Sequence, residues 1–302
     1  MRFINHTNKD SYSSVESKPR SEISLALYAV AKDKLAVIGF VILFIVVFVT
    51  ITAPYISPYG PNESPELSER LLPPFTPGFF LGTDGQGRDI LSRIIWGGRI
   101  SIPTAIAPIA VSSSLGLILG LFAGYIGGKT SGFVMRSLDV IFAFPGVLLA
   151  VAVASVLGSG MMNVMLAMSI VLIPWVARIV YVETIAILQT EYIQAAKACS
   201  ASPTRILFKE LLPNVISPVI VFGTTSLGSM VVFAAGLSFL GVGVQPPTAD
   251  WGIMAANGRN VVAIAPWVSI IPGSVIVIVA VACNFAGDGL RDAMDPRQRT
   301  RR

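Results

Sequence analysis

Residues 35–51, Leu35-Ala36-Val37-Ile38-Gly39-Phe40-Val41-Ile42-Leu43-Phe44-Ile45-Val46-Val47-Phe48-Val49-Thr50-Ile51, contain no charged side chain and no Asn or Gln. Continued to Ile56, the run reaches the roughly 20 residues that cross about 30 Å of hydrocarbon as a helix. Apolar residues do not alternate with polar ones, as they would in a barrel strand with one face to lipid and one to a lumen. Every backbone N–H and C=O inside a bilayer must be paired within the chain, so a run of this kind is a helix.

The rest of the chain agrees. Of its 302 residues 53% are hydrophobic and 13% charged, whereas water-soluble domains average about 25% charged residues. Further apolar runs cover Ile100 to Ile126, Leu138 to Leu157, Met162 to Ile187, Val215 to Val242 and Pro266 to Ala286. The fold class expected is an all-α membrane protein with six transmembrane helices. The chain divides into a polar N-terminal segment (1–34), a first span with a long outer loop (35–99), a five-span core (100–286) and a basic tail (287–302). If the N-terminus is cytoplasmic, seventeen of the 22 Lys and Arg fall inside, including every Lys. Basic residues in short loops are retained in the cytoplasm, so both termini are placed there. The outer exceptions are Arg70, Arg88, Arg93, Arg99 and Arg259.

Composition removes most catalytic chemistries. The single histidine, His6, lies outside the core, which leaves no imidazole for a nucleophilic triad or a His-based metal site. Cys199 falls on the cytoplasmic side and Cys283 within a span, so neither a disulfide nor a thiolate cage forms; both are read as packing residues. Asp139 and Asp288, the carboxylates an intramembrane protease would need, sit near helix ends beside Arg136 and Arg291, and helix-end ion pairing accounts for them. Gly124-Tyr125-Ile126-Gly127-Gly128-Lys129-Thr130 imitates a phosphate loop, but Ala123 stands where that motif needs its first glycine, and an apolar helix precedes it. It is read as a membrane-interface turn. The polar residues before Leu35 lack the apolar core of a cleaved signal peptide, so the first span is expected to stay as an anchor. The tail Arg297-Gln298-Arg299-Thr300-Arg301-Arg302 is read as a stop-transfer cluster on anionic lipid, with no nucleic-acid role.

One cytoplasmic segment, 188–213, is built differently. Tyr192, Ala195, Ala196 and Cys199 recur at i, i+3, i+4 and i+7, one face of a short helix. Ser202-Pro203 then reads as the N-cap and first residue of a second short helix, which turns Ile206, Leu207 and Leu211 inward until Pro213 interrupts it. A helix pair this small is marginal alone. It is stabilised either by packing under its own spans or by docking into a partner's groove. A carrier working alone on an ion gradient is the competing reading; such carriers hold ionisable groups at the bilayer midplane, and these spans place no acid or base there.

The residues Glu191-Tyr192-Ile193-Gln194-Ala195-Ala196-Lys197-Ala198-Cys199-Ser200-Ala201-Ser202-Pro203-Thr204-Arg205-Ile206, closing at Leu212-Pro213-Asn214, resemble the coupling loop of bacterial ABC-importer permeases. Three more stretches extend the resemblance: Leu81-Gly82-Thr83-Asp84-Gly85-Gln86-Gly87-Arg88-Asp89, Gly236 to Pro247 with Trp251-Gly252, and Gly287 to Arg297. Together they are similar to the C-type permease subunit of dipeptide and oligopeptide importers. The resemblance implies a type I permease fold in the bacterial inner membrane and a heterodimer with a second six-span permease. It further implies two ATPase subunits that bind ATP and Mg, and a solute-binding protein outside. The chain itself is then a non-catalytic subunit without a cofactor. Substrates implied are short peptides, with nickel chelates, glutathione and other small solutes as alternatives. Glu191, Tyr192, Gln194, Ala195, Ala196, Cys199, Ser200, Arg205, Leu212 and Pro213 become candidate ATPase-coupling residues. Gln194 replaces the family's usual Glu, and Ser200 its usual Gly, where a left-handed backbone would cost a serine roughly 1 kcal/mol or more. The acids of the outer motif Gly82, Thr83, Asp84, Gly87, Arg88 and Asp89 are too few and wrongly spaced for a calcium loop. That motif is expected to form a turn before a short interfacial helix at Ile90 to Trp96, available to the binding protein.

Overall fold

A computed structural model describes residues 30–63 and 67–294. The expectations for residues 1–29 and for the basic cluster after Met294 lie outside them. The long apolar runs are helical, and the principal helices are α1 (Lys34–Ile51), α2 (Ile90–Ile126), α3 (Gly128–Phe142), α4 (Gly146–Leu157), α5 (Met161–Leu188), α6 (Glu191–Ala198), α7 (Leu212–Phe239), α8 (Trp251–Gly258) and α9 (Trp267–Met294). Among the described residues the only β pairing is two isolated bridges, Thr76 with Phe79 and Thr83 with Asp89. Five helices are long and apolar enough to cross a membrane, or six if the bent pair α3 and α4 counts as one span.

Helix α5 is the hub. Of its most apolar window 61% is buried, against 17% for α1, whose outward face of Phe44, Ile45, Phe48 and Ile51 is left to lipid. The tightest approach is between α2 and α5. Gly116, Gly120 and Gly124 repeat every four residues along one face of α2 and meet Val176, Ala177, Val180 and Thr184. A β-carbon on Gly116 would come within 2.6 Å of Cβ of Val176, and one on Gly120 would fall on the carbonyl oxygen of Ala177. Small residues at this spacing let membrane helices touch backbone to backbone, where dispersion has to supply the attraction that water supplies elsewhere. On the other side α9 lies between α1 and α7.

Four boundaries differ from the sequence reading. The separate interfacial helix at Ile90 to Trp96 does not exist; α2 starts at Ile90 and runs without a break through Pro103 and Pro108. Each proline removes one hydrogen bond, and the packed neighbours hold the helix through that loss. The span drawn from Leu138 to Leu157 is broken instead, with α3 and α4 at 90°. Pro145 has no N–H to give and forces Phe144 out of the helical region, so α3 ends and Pro145 caps α4. Pro213 does not interrupt a helix: residues Ile206–Leu211 widen into a π turn and α7 follows directly. The i→i+5 pairing relaxes the turn into which the proline ring would press. Finally α9 continues beyond Ala286 to Met294, so the tail begins as helix.

Replacing Gly120 by Leu is expected to push α2 off α5 and destabilise the fold by about 1 to 3 kcal/mol. The check is the thermal midpoint of the purified protein in detergent, which Gly132→Leu, at a position with open space around it, should leave unchanged.

Candidate functional site

Helix α6 and the turn after it form an elbow at the end of α5. Glu191 opens α6 and Lys197 closes it, each with the sign the helix dipole favours. Beyond Cys199, Ser200 sits at φ 58°. Its N–H donates to the carbonyl of Lys197 at 3.0 Å, and Ala201 N–H reaches back to Ala196 at 3.0 Å. These two bonds are a Schellman C-cap with Ser200 in the left-handed position normally given to glycine. Ser202 caps the next turn by accepting from Arg205 N–H at 3.3 Å, with Pro203 at its first position.

The two faces of the elbow differ sharply. Ile193 is fully buried, and with Ile206, Leu211 and Val215 it joins a cluster containing Leu121 of α2 and Val176, Val180 and Ile187 of α5. Tyr192, Ala195 and Cys199 are exposed, and Ala196 is half-buried. The packing role assigned to Cys199 is therefore wrong, since its face is turned out, while Cys283 is buried as expected. Glu191, Arg205 and Pro213 are exposed and Leu212 is half-buried. Exposed Gln194 donates from Nε2 to the Leu188 carbonyl at 2.9 Å, which closes the corner between α5 and α6. Ile193 was missed in the sequence, although it is the one aliphatic side chain in α6 and points away from the Tyr192 face.

At the other end, the Gly82–Asp89 motif is internal scaffold. Thr83, Asp84, Arg88 and Asp89 are buried, and only Gly85 and Gln86 reach the surface. Asp84 accepts from the backbone of Gln86 (2.8 Å) and Arg88 (3.0 Å) and is paired with the Arg88 guanidinium at 2.7 Å. Arg93, 1% exposed, lies 3.6 Å from Asp84 and donates to the carbonyls of Pro61 (2.6 Å) and Pro247 (3.2 Å). One guanidinium thus fastens three separate segments. Asp89 caps α2 through Ser92 N–H at 2.8 Å. Arg99 donates to the last carbonyls of α1, Thr50 and Ile51, at 3.0 and 2.8 Å. Trp251, also buried, packs on Gly97 and donates to Ile94 at 2.9 Å, while Asp250 accepts from Ser101 at 2.7 Å.

The remaining carboxylates behave differently from the sequence reading. Asp139 pairs with Arg178 of α5, not with Arg136 on its own helix. Asp288 is exposed and in no ion pair among the described residues. No group of three His, Cys, Asp or Glu capable of holding a metal exists among the described residues.

Comparison with known proteins adds the following. Residues 116–300 match the model of the binding-protein-dependent transport system inner membrane component, and residues 21–74 that of the N-terminal TM domain of oligopeptide transport permease C. The chain is 45% identical to a glutathione transport system permease protein of Pectobacterium atrosepticum and 41% identical to a di/tripeptide transport system permease protein of Pseudomonas aeruginosa, in each case over 72% of both chains. A probable D,D-dipeptide transport system permease protein of Escherichia coli is 39% identical over 77% of this chain and 78% of its own. In fold, a chain of the inward-facing MetNI methionine ABC transporter aligns with 67% of this chain and 96% of itself, at a TM-score of 0.52 and 21% identity.

Substituting Ser200 by Gly is expected to relieve the left-handed strain and stabilise the elbow by up to about 1 kcal/mol, read as slower amide exchange at Cys199 and Ala201. Asp84→Ala leaves two guanidiniums buried without their shared carboxylate and should cost about 3 to 5 kcal/mol. Limited proteolysis between residues 57 and 89 reports that loss.

Proposed function

The chain belongs to the binding-protein-dependent transport system inner membrane components, and on that premise we propose that it forms half of the pathway of an ATP-driven importer of short peptides and moves with a motor held on other subunits. A second permease completes the pathway, two ATPase subunits bind and hydrolyse ATP, and a solute-binding protein delivers substrate from outside. The excess of Lys and Arg on the elbow side of the spans supports a cytoplasmic elbow with both termini on that side.

The observation that carries this reading is the two-faced elbow. Its outer face, Tyr192, Ala195 and Cys199, is open and low in profile, suited to a groove on an ATPase. Its inner face, Ile193 with Ile206 and Leu211, is locked into the ends of α5 and α7. A displacement of the groove therefore passes into two long spans without being absorbed locally, because close-packed apolar clusters deform little. The relatives named for di/tripeptides and D,D-dipeptides support short peptides as the substrate class, and the relative named for glutathione supports the second reading, import of glutathione.

Ala195→Arg with Ala196→Arg is expected to abolish co-purification of the ATPase subunits and to lower uptake at least about tenfold, as a bulky charge on a desolvated contact does. Normal assembly and uptake in this variant would overturn the assignment. So would import by the chain alone in liposomes on a pH gradient.

A further inference from the structure

Helix α3 has three faces, and the bundle and water account for two of them. At 100° per residue, Ser131 and Leu138 form the face buried on the bundle. Lys129, Arg136 and Asp139 form a charged edge. Between the two lies an apolar face on which Phe133 is 74% and Val140 63% exposed. Ser137 on this face turns its hydroxyl back to the Phe133 carbonyl at 3.0 Å, so it presents no unpaired donor.

The depth of α3 follows from its two links to α5. The Ser131 hydroxyl donates to the Tyr181 hydroxyl at 3.1 Å, and Asp139 pairs with Arg178. Along α3 these anchors are about 12 Å apart, but along α5 only about 4.5 Å. Helix α4, which packs on α5, meets α3 at 90°, so α3 is turned across the direction that α4 takes. Arg178 and Tyr181 lie about 26 and 30 Å along α5 from Met161, which matches the thickness of the hydrocarbon layer. The helix thus runs along the membrane boundary at the elbow end, and the chain turns through 90° at Pro145 to enter the bilayer as α4.

We propose that α3 is an in-plane amphipathic helix seated in the leaflet on the elbow side, where it selects anionic phospholipid. Phe133 and Val140 enter the acyl region, and Lys129 and Arg136 meet headgroup phosphates. Three observations favour lipid over a protein partner. Helix α4, which follows directly, likewise leaves Val147, Leu148 and Val156 exposed. Lys129 and Arg136 are both exposed and share one edge of the helix, away from its buried face. Neither Lys129 nor Arg136 has an ion-pair partner among the described residues. The docking itself does not depend on which leaflet is cytoplasmic.

The test uses the complete transporter in nanodiscs of phosphatidylcholine, with or without phosphatidylglycerol, in a Cys199→Ser, Cys283→Ala background. Nitroxides on Phe133→Cys and Val140→Cys should relax with oxygen in preference to an aqueous nickel complex, and one on Arg136→Cys the reverse. Spin-labelled phosphatidylglycerol should be immobilised in preference to spin-labelled phosphatidylcholine. That preference should fall about fivefold for each of Lys129→Gln and Arg136→Gln and be retained in Lys129→Arg. Nickel access at 133 and 140 overturns the proposal, and so does shielding from both reagents, which would mean that protein covers the face. Equal association of the two lipids overturns the anionic selectivity. Neither readout uses ATP or uptake, so a failure of the importer reading would not imitate a failure of this one.

Discussion

The backbone contact between α2 and α5 is the constraint on which the rest of the structure depends. In lipid there is no hydrophobic gain from bringing two apolar helices together, so their association rests on how closely the backbones can approach. Gly116, Gly120 and Gly124 allow that approach over two turns. Once α2 and α5 are joined, the loop of residues 57–89 hangs from the start of α2 and the elbow from the end of α5, and the geometry of both ends is set by one packed pair.

The two ends use different forces. At the end opposite the elbow buried polar groups do the work: Asp84 holds Arg88 and faces Arg93, Asp89 and Asp250 cap helices, and Arg99 closes the carbonyl end of α1. Networks of this kind define one arrangement because each member left without its partner is costly. At the elbow an apolar cluster does it, with Ile193 as the peg between α5 and α7. The end opposite the elbow is pinned by directional bonds, and the elbow is held by packing that can be carried as a unit.

Much of this was legible in the chain. The spans could be read because a bilayer demands long uninterrupted apolar runs, and the Ser202-Pro203 helix start because an N-cap hydroxyl and a proline have local geometric reasons to sit there. The open face of the elbow showed as a periodicity. What escaped was relational. Gly116, Gly120 and Gly124 are visible as a repeat, yet nothing local says that α5 lies against them. The motif Gly82 to Asp89 looked accessible because it is polar, and it is buried because its charges pair with one another. Pro145 and Pro213 are both prolines in helical sequence; one bends the chain through 90° and the other is absorbed by a π turn.

By itself the sequence determined that the chain is helical, that it belongs in a membrane and where its polar connections fall, because those properties depend on the solvent and on neighbours a few residues away. Only the tertiary structure decided which helix is central, which face of the elbow is closed, and that α3 and α4 meet at 90° instead of forming one straight span. Those depend on contacts between residues far apart in the chain, such as Asp139 with Arg178 and Ile193 with Ile206, and no local pattern encodes the partner.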